Sequence, residues 1–363
     1  MALNTDSRKL FHGGDVLSAS KESGIPIENW IDLSTGISPY AYPTNTIPAE
    51  AFSRLPYIDQ AFKNSTKLYY GSKQFVAVSG TQAAIQFLPK ILKKLPILLP
   101  SVGYQEHKQA WLSSGNPLDY YPALDEKIAF KDIEYKLAQE SKQHLLVINP
   151  NNPSTLYFKP QQLCIWAQKL GEGAFLIVDE AFIDSSPSQS LIPHLQSNAK
   201  NNIIVFRSFG KFFGLAGIRL GFVFAAQDIL KQFEEQTPLW SINGPALYLA
   251  NKAFSDVDWQ TEHQAKLIES EQLTTKLFES LKYEFCFHER LFSSYIFPKK
   301  LALTIYKHFY EKGLLLRLID ISEEKSIIRV GRIKVEDKNT VNKISSIMEE
   351  NTRSLSLSKG LPN

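Results

Sequence analysis

Short apolar runs, each closed by turn-forming residues, recur along the chain up to about residue 230. They are "FVAVSG" (75–80), "PILLP" (96–100), "HLLVINP" (144–150), "AFLIVDE" (174–180), "IIVFRS" (203–208) and "LGFVFA" (220–225). The runs are continuous rather than alternating, the pattern of strands covered on both faces. Segments of helical length, such as "TQAAIQFLPKILKKL" and "KPQQLCIWAQKLGEG", lie between them. Strand, crossover and strand at roughly thirty-residue spacing predict an α/β fold: a mostly parallel sheet flanked by helices.

Beyond residue 230 the texture changes. "TEHQAKLIESEQLTTKLFESLK" reads as a long helix with a polar face, and "KKLALTIYKHFYEKG" as another stopped at Gly313. "LLLRLID" and "SIIRVGR" read as two strands, and "DKNTVNKISSIMEENT" as a closing helix. The division expected is an N-terminal arm over 1–45, a large domain over 46–240, a small α+β domain over 241–352 and a flexible tail over 353–363. No internal repeat is present.

Composition narrows the partners. The chain has 363 residues and a net charge of only +3, with acids and bases spread along it. It lacks the basic stripe that nucleic acid or a membrane surface would need, while a small anionic ligand stays compatible with a locally positive site. Cys164 and Cys286 form no CxxC pair and read as reduced thiols. The opening "MALNTDSRKLFHGG" has no apolar signal core, and "LPKILKKLPILLP" is broken by lysines and prolines. The expectation is a soluble cytoplasmic protein.

Candidate chemistry lies at the ends of the apolar runs. Asn152 follows "LLVIN", Asp179 ends "FLIVD" and Lys211 follows "IIVFRS", at separations of 27 and 32 residues. Each separation is about one βαβ step, and in an open parallel sheet the strands' carboxyl ends share one edge where ligands bind. An amide, a carboxylate and an amine therefore converge there. A lysine that bonds to an aldehyde, with an acid to pair with a pyridine nitrogen, is what pyridoxal phosphate requires. Asn152 could meet the ring's phenolic oxygen. "SGTQAA" (79–84) offers N–H groups at a helix start for the phosphate, and Ser208 and Arg219 could add donors. Taken singly, such a lysine is usually a solvated charge, such an aspartate a helix cap, and "NPNNP" a turn. A P-loop reading of "FGK" fails, because it needs Gly at Val205 and Ser or Thr at Phe212.

"NPNNP", "VDEAF" and "SFGKFFGLAGIRLG", in that order, resemble the fold-type-I pyridoxal-phosphate enzymes of the class I/II aminotransferase family. The resemblance covers roughly residues 10 to 350. "HGGDVLSASKESGIPIENWIDLSTGISPYAYP", "RLPYIDQAF" and "KLYYGS" are similar to its threonine-phosphate decarboxylase branch, of the CobC/CobD type in cobalamin biosynthesis. Histidinol-phosphate aminotransferases, close neighbours, usually lack the HGG and STG openings.

The resemblance implies a large domain with the parallel sheet, a smaller C-terminal domain and an N-terminal arm. It implies Lys211 as the residue bonded to the cofactor, Asp179 at the pyridinium, Asn152 at the phenolic oxygen and Tyr104 stacked on the ring. Thr81, Gln82, Ser208 and Arg219 would hold the cofactor phosphate. Tyr57 would reach a neighbouring subunit's cofactor, which implies a homodimer with shared sites. Arg329 would clamp the substrate carboxylate. His12, Gly13, Gly36 and Arg317 would join the substrate contacts, with Asn152 shared and Arg332 a further candidate for the substrate phosphate. The family's "DEAY" is "DEAF" here, "NNPTG" is "NNPST", and Ser38 stands where the branch more often has Asn.

The implied reaction is decarboxylation of L-threonine O-3-phosphate, with Lys211 returning a proton to the α-carbon. A histidinol-phosphate or related aminotransferase is the alternative, because the residues alone do not set which bond stands perpendicular to the ring. A regulator with an aminotransferase-like sensor domain is disfavoured, since the strand and cofactor motifs leave no room for a DNA-binding module before them.

Overall fold

A computed structural model describes residues 13–45, 47–197 and 201–357. Tyr40–Ala265 forms one compact unit, and the described residues before it group with those from Lys266 onward in a second. The sequence-based division put these borders at 45/46 and 240/241. They fall elsewhere because helix Gly244–Ser255 packs on helix Gln60–Tyr70, with Phe254 stacked on Tyr69 at 4.8 Å. The long helix that follows starts at Val257, four residues before the stretch expected to form it.

The first strand, β1 (Ile31–Asp32), is short and finds its partner late in the chain. The larger unit carries β2 (Val76–Val78), β3 (Ile97–Pro100), β4 (Leu118–Tyr121), β5 (His144–Ile148), β6 (Leu176–Asp179), β7 (Ile203–Ser208) and β8 (Gly221–Phe224). Their spatial order is β2-β8-β7-β6-β5-β3-β4. The stretch from β7 to β4 is parallel, whereas β8 runs antiparallel to β7 and to β2. Each apolar run of the sequence forms a strand, and β5, β6, β7 and β8 are buried throughout. Strand direction was not legible in β8, because an apolar run covered on both faces looks the same in either sense. β4 was missed: it is the edge strand, half exposed, and "LDYY" carries no apolar run.

The crossovers are helical, as the spacing predicts. α1 (Thr81–Ile91) follows β2, α2 (Gln105–Ser113) follows β3, and Pro160–Lys169 begins with proline at its first turn. α1 ends four residues short of the predicted stretch. Pro89 removes an N–H from its last turn, and Leu92 is already extended.

The second unit adds β9 (Phe285–Glu289), β10 (Phe292–Pro298), β11 (Leu314–Leu315), β12 (Arg317–Asp320) and β13 (Lys325–Gly331). Four of them form an antiparallel sheet in the order β12-β13-β10-β9, while β11 pairs in parallel with β1. "LLLRLID" thus splits between two sheets, and the β9–β10 hairpin had escaped the sequence reading. Helix Lys299–Glu311 stops before Gly313 (φ 72°), as expected. The closing helix continues to Leu357, and residues 358–363 of the expected tail lie outside the described residues. Among the described residues no helix is long and apolar enough to cross a membrane.

One charged cluster is part of the core. Arg207 is 2% exposed and pairs with Asp184 and, at 3.4 Å, with Glu180. Its guanidinium lies 4.5 Å from the Tyr70 ring centre and donates to Ser190 Oγ at 3.1 Å. Burial works against its charge, but Asp184 and Glu180 hold its pKa above the ordinary arginine value. Burial also pushes both carboxyls up, against the pull of the single guanidinium they share.

Candidate functional site

The parallel strands end side by side. Ile148 of β5 is in register with Asp179 of β6, and Asp179 with Phe206 of β7. The loops beyond these ends line a cleft that encloses about 720 Å³ including its open mouth. Thr81, Gln82, Tyr104, Asn152, Asp179, Ser208, Lys211 and Arg219 all line it, with Gly80 and Phe182. Residues spread from Thr81 to Arg219 along the sequence are therefore one place in space.

The "NPNNP" loop shows how a turn serves the cleft. Asn149 donates to Phe158 O at 2.9 Å and accepts from Phe158 N at 2.8 Å. Asn151 donates to Val102 O and Ser154 Oγ. These two buried amides fasten the loop, and Asn152 is the one that lines the cleft. Thr155 stands where the family pattern has glycine, and it takes φ 55°. A β-branched residue there costs about 1–2 kcal/mol, which the anchoring by Asn149 and Asn151 sustains.

Asp179 is 3% exposed. Its Oδ1 accepts from Ala181 N at 3.0 Å, and its Oδ2 lies 2.8 Å from His107 Nε2. A carboxylate only accepts, so the imidazole donates. His107 is itself buried, stacked on Phe206 and edge-on to Tyr104. Sequence reasoning missed His107. The available signal was its place three residues after Tyr104 in "GYQEHKQAW", in the first turn of the helix that Tyr104 caps.

Tyr104 precedes α2, and its hydroxyl donates to Gln82 Oε1 at 3.1 Å. Gln82 Nε2 in turn donates to Glu106 Oε2 at 2.6 Å. The Gln82 side chain therefore orients Tyr104, and what Gln82 offers an anion is its backbone N–H in the first turn of α1.

Two glycines shape that helix start. Gly80 (φ 78°) precedes α1, and a Cβ there would lie 2.5 Å from Arg219 Nη2. A Cβ on Gly221 would lie 2.6 Å from Thr81 N. The bare Gly80 leaves room for the Arg219 guanidinium, and the bare Gly221 lets β8 approach the helix start itself. Its own backbone is left-handed (φ 57°), and its Nη1 donates to Ala216 O at 3.0 Å. Such strain in a non-glycine residue persists where the surroundings over-determine it.

Lys211 sits on α3 (Phe209–Phe212), a single turn directly after β7. Its Nζ is 5.6 Å from the Phe182 ring centre, so the wall that would carry the family's tyrosine hydroxyl is hydrocarbon. Gly210 lets the returning chain pass: a Cβ there would be 2.7 Å from Ala216 Cα. Behind α3, His263 Nε2 lies 2.8 Å from the Phe212 carbonyl.

Other expected site residues are not among those that line this cleft. Tyr57 is 76% exposed and lines a second cleft of the same unit with Lys73, Phe75 and Trp240. Gly13, Gly36, Arg317 and Arg329 belong to the other unit. His12 lies outside the described residues. Arg317 and Arg329 are cross-strand partners on β12 and β13. Arg329 is 7% exposed, and burial together with Arg317 lowers its pKa to about 10, with Asp32 opposing, so it is cationic at neutral pH. Arg332 is no anion site. It donates to the carbonyls of Arg290, Glu289 and Phe292 and to Ser293 Oγ, which uses it to tie the β9–β10 hairpin.

A family model for aminotransferase class I and II matches residues 28–336. The threonine-phosphate decarboxylase of Pseudomonas aeruginosa is 35% identical over 323 residues, covering 89% of this chain and 92% of that protein. The histidinol-phosphate aminotransferase of Pyrococcus furiosus is 25% identical over 339 residues, covering 88% and 93%. Among solved structures, the histidinol-phosphate aminotransferase from Sinorhizobium meliloti in complex with pyridoxal-5'-phosphate superposes with a TM-score of 0.80 at 18% identity, covering 98% of this chain and 99% of that one. That likeness shows the fold; with the family match and the 35% identity, the chain belongs to the aminotransferase class I and II family.

Proposed function

We propose that the protein is a pyridoxal-phosphate-dependent threonine-phosphate decarboxylase, converting L-threonine O-3-phosphate to (R)-1-amino-2-propanol phosphate and CO₂ for cobalamin biosynthesis. What supports this reading most is the 35% identity to the Pseudomonas decarboxylase across 89% of the chain, against 25% for the Pyrococcus aminotransferase.

The residues of the cleft fit the cofactor. The cradle left by Gly80 and Gly221 brings Arg219 to the N-terminus of α1, which suits a phosphate. Asp179, backed by His107, suits a protonated pyridine nitrogen, and Tyr104, held by Gln82, suits a ring face. When bound, the cofactor supplies an electron sink for the carbon that carries the substrate's amine.

The chain's own groups do the rest. His107 and Ala181 each donate to one oxygen of Asp179, which fixes the carboxylate that would pair with the ring nitrogen. With Phe182 in place of tyrosine, Asn152 would be the residue to hold the phenolic oxygen. Arg329 takes the substrate carboxylate and holds the bond to be broken, and Arg317 adds a second cation for the substrate phosphate. As CO₂ leaves, its bonding electrons stay with the α-carbon, and Lys211 Nζ delivers the proton that replaces it. The net change is one proton taken up and one CO₂ released. No keto acid is consumed.

The test is product analysis by mass spectrometry. The cofactor-loaded protein, given L-threonine O-phosphate and no keto acid, is expected to make aminopropanol phosphate over many turnovers. No turnover, with activity appearing on histidinol phosphate and 2-oxoglutarate, would overturn the reading in favour of the aminotransferase.

In this reading the protein is a cytoplasmic homodimer. Its unpaired cysteines suit a reducing compartment. Phe52, Leu55, Tyr57, Leu239 and Trp240 are exposed large apolar residues, three of which rim the second cleft, and this face meets a second copy. Tyr57 then completes the partner's site. Mixing inactive Lys211→Ala and Tyr57→Ala chains and letting subunits exchange should restore about one quarter of the sites, since each mixed dimer has one intact pair. No recovery in subunit-exchanged samples would place Tyr57 outside the partner's site.

A further inference from the structure

We propose that Ser34 is a positioning residue for anion recognition, a buried peg that ties the Gly13–Gly14 turn and Asp32 to the guanidinium of Arg329. The inference rests on the assignment of Arg329 to the substrate anion. It identifies what aims that arginine.

Ser34 follows β1 and is 1% exposed. Every polar atom it carries is committed. Its N–H donates to Asp32 Oδ1 at 2.8 Å, and its hydroxyl donates to the same oxygen at 2.6 Å. The hydroxyl oxygen accepts from Gly14 N at 2.7 Å. Its carbonyl accepts from Arg329 Nη2 at 2.6 Å. One residue therefore joins the N-terminal turn, an acid and the arginine.

The packing leaves this peptide little freedom. A Cβ on Gly13 would lie 2.3 Å from the Ser34 carbonyl oxygen and 2.9 Å from its carbon, so the turn rests directly on the group that holds Arg329. Gly14 has φ 89°, which favours glycine there as well. On the other side, Gly331 N donates to Leu33 O at 2.7 Å, and a Cβ on Gly331 would lie 2.5 Å from Thr35 O. The 33–35 turn is thus clamped to the end of β13, two residues beyond Arg329.

The arrangement has an electrostatic purpose. Arg329 is buried beside Arg317, and two neighbouring guanidiniums repel. Asp32 offsets part of that charge, and an anionic substrate offsets more. A carbonyl that takes one N–H of Arg329 fixes the plane of the guanidinium, and with it the direction of the remaining donors. Releasing the peg would leave the charge in place but lose its aim, which a positioned bidentate contact does not tolerate.

Ser34→Ala removes both hydroxyl bonds and keeps the carbonyl. Gly13→Ala removes no polar group but drives a methyl into that carbonyl. Ser34→Thr keeps the hydroxyl and serves as the rescue. In the cofactor-loaded dimer, both alanine variants are expected to raise KM for L-threonine O-phosphate about tenfold, the equivalent of one hydrogen bond. Turnover should fall as well, by less than in Arg329→Ala, since the aim of Arg329 also sets the bond to be broken while the Lys211 cleft is untouched. Amide hydrogen exchange over residues 14–24 should speed up in the same variants, and in Arg329→Ala, because the link is mutual. KM unchanged in both alanine variants, or exchange over residues 14–24 unchanged in Arg329→Ala, would overturn the proposal. If the wild type does not turn over L-threonine O-phosphate, the functional reading fails by itself. The link is then judged by exchange alone, and indifference of residues 14–24 to Arg329→Ala would overturn it.

Discussion

Lys211→Ala is expected to lower kcat for decarboxylation by at least about 1,000-fold, within the range a positioned acid–base group contributes. The loss should fall on turnover rather than on cofactor retention. Arg219, Ser208 and the start of α1 line the cleft independently of the Lys211 side chain, and Asp179 keeps its bonds to His107 and Ala181. The variant should therefore bind pyridoxal phosphate, with the ring's absorption altered because no amine of the chain is bonded to it. A small primary amine such as methylamine should restore part of the activity, since truncating Lys211 frees the volume its side chain fills in the wall of the cleft. Steady-state kinetics with and without added amine check this. A variant keeping more than about a tenth of wild-type turnover would remove Lys211 from the proton-transfer role, because so small a loss is only about 1.4 kcal/mol of transition-state stabilisation.

Arg207→Ala should be the most damaging change to stability, by about 3–5 kcal/mol, because it strands Glu180 and Asp184 without a counter-charge. Both carboxyls are fully buried, and burial already pushes their pKa values up. The pH dependence follows from that sign. A carboxyl whose pKa is raised in the fold binds its proton more tightly there than in the unfolded chain, so its contribution is greatest at low pH and is lost as pH rises through the folded value. The variant should accordingly lose stability more steeply than the wild type as pH rises from the unfolded carboxylate range. Chemical unfolding at several pH values measures this. The triple variant Arg207→Met, Glu180→Gln, Asp184→Asn should recover much of the loss, since a neutralised cluster has no stranded charge. Equal stability of wild type and Arg207→Ala at neutral pH would show that the cluster is not the anchor its burial implies.

Much of the cleft could be read from spacing, because β-strands that run parallel end at one edge. Asn152, Asp179 and Lys211 each follow an apolar run, and the registers of β5, β6 and β7 bring those ends together. What escaped was set by contacts between distant segments. His107 matters because α2 lays it against the end of β6, which no local pattern announces. Glu180 and Arg207 each adjoin a cleft residue, Asp179 and Ser208, yet they turn into a buried cluster; written as a sequence, they look like two surface charges. Arg332 read as a further candidate for the substrate phosphate; it lies one residue past β13 and is committed to the hairpin carbonyls, while Arg329 within β13 is held against Ser34. β4 escaped because "LDYY" carries no continuous apolar run.

The crossing of Arg219 over Gly80 also bears on how the chain can diversify. The two glycines limit that diversity in different ways: a Cβ at Gly80 meets the Arg219 guanidinium and a left-handed backbone, while a Cβ at Gly221 meets the backbone of Thr81, Gly80 and Arg207. Shortening residue 219 would clear the first clash and leave the strain at 80, and nothing at 219 would clear the second. For anyone reshaping the phosphate cradle, 219 is the position open to change, and the two glycines are its fixed frame.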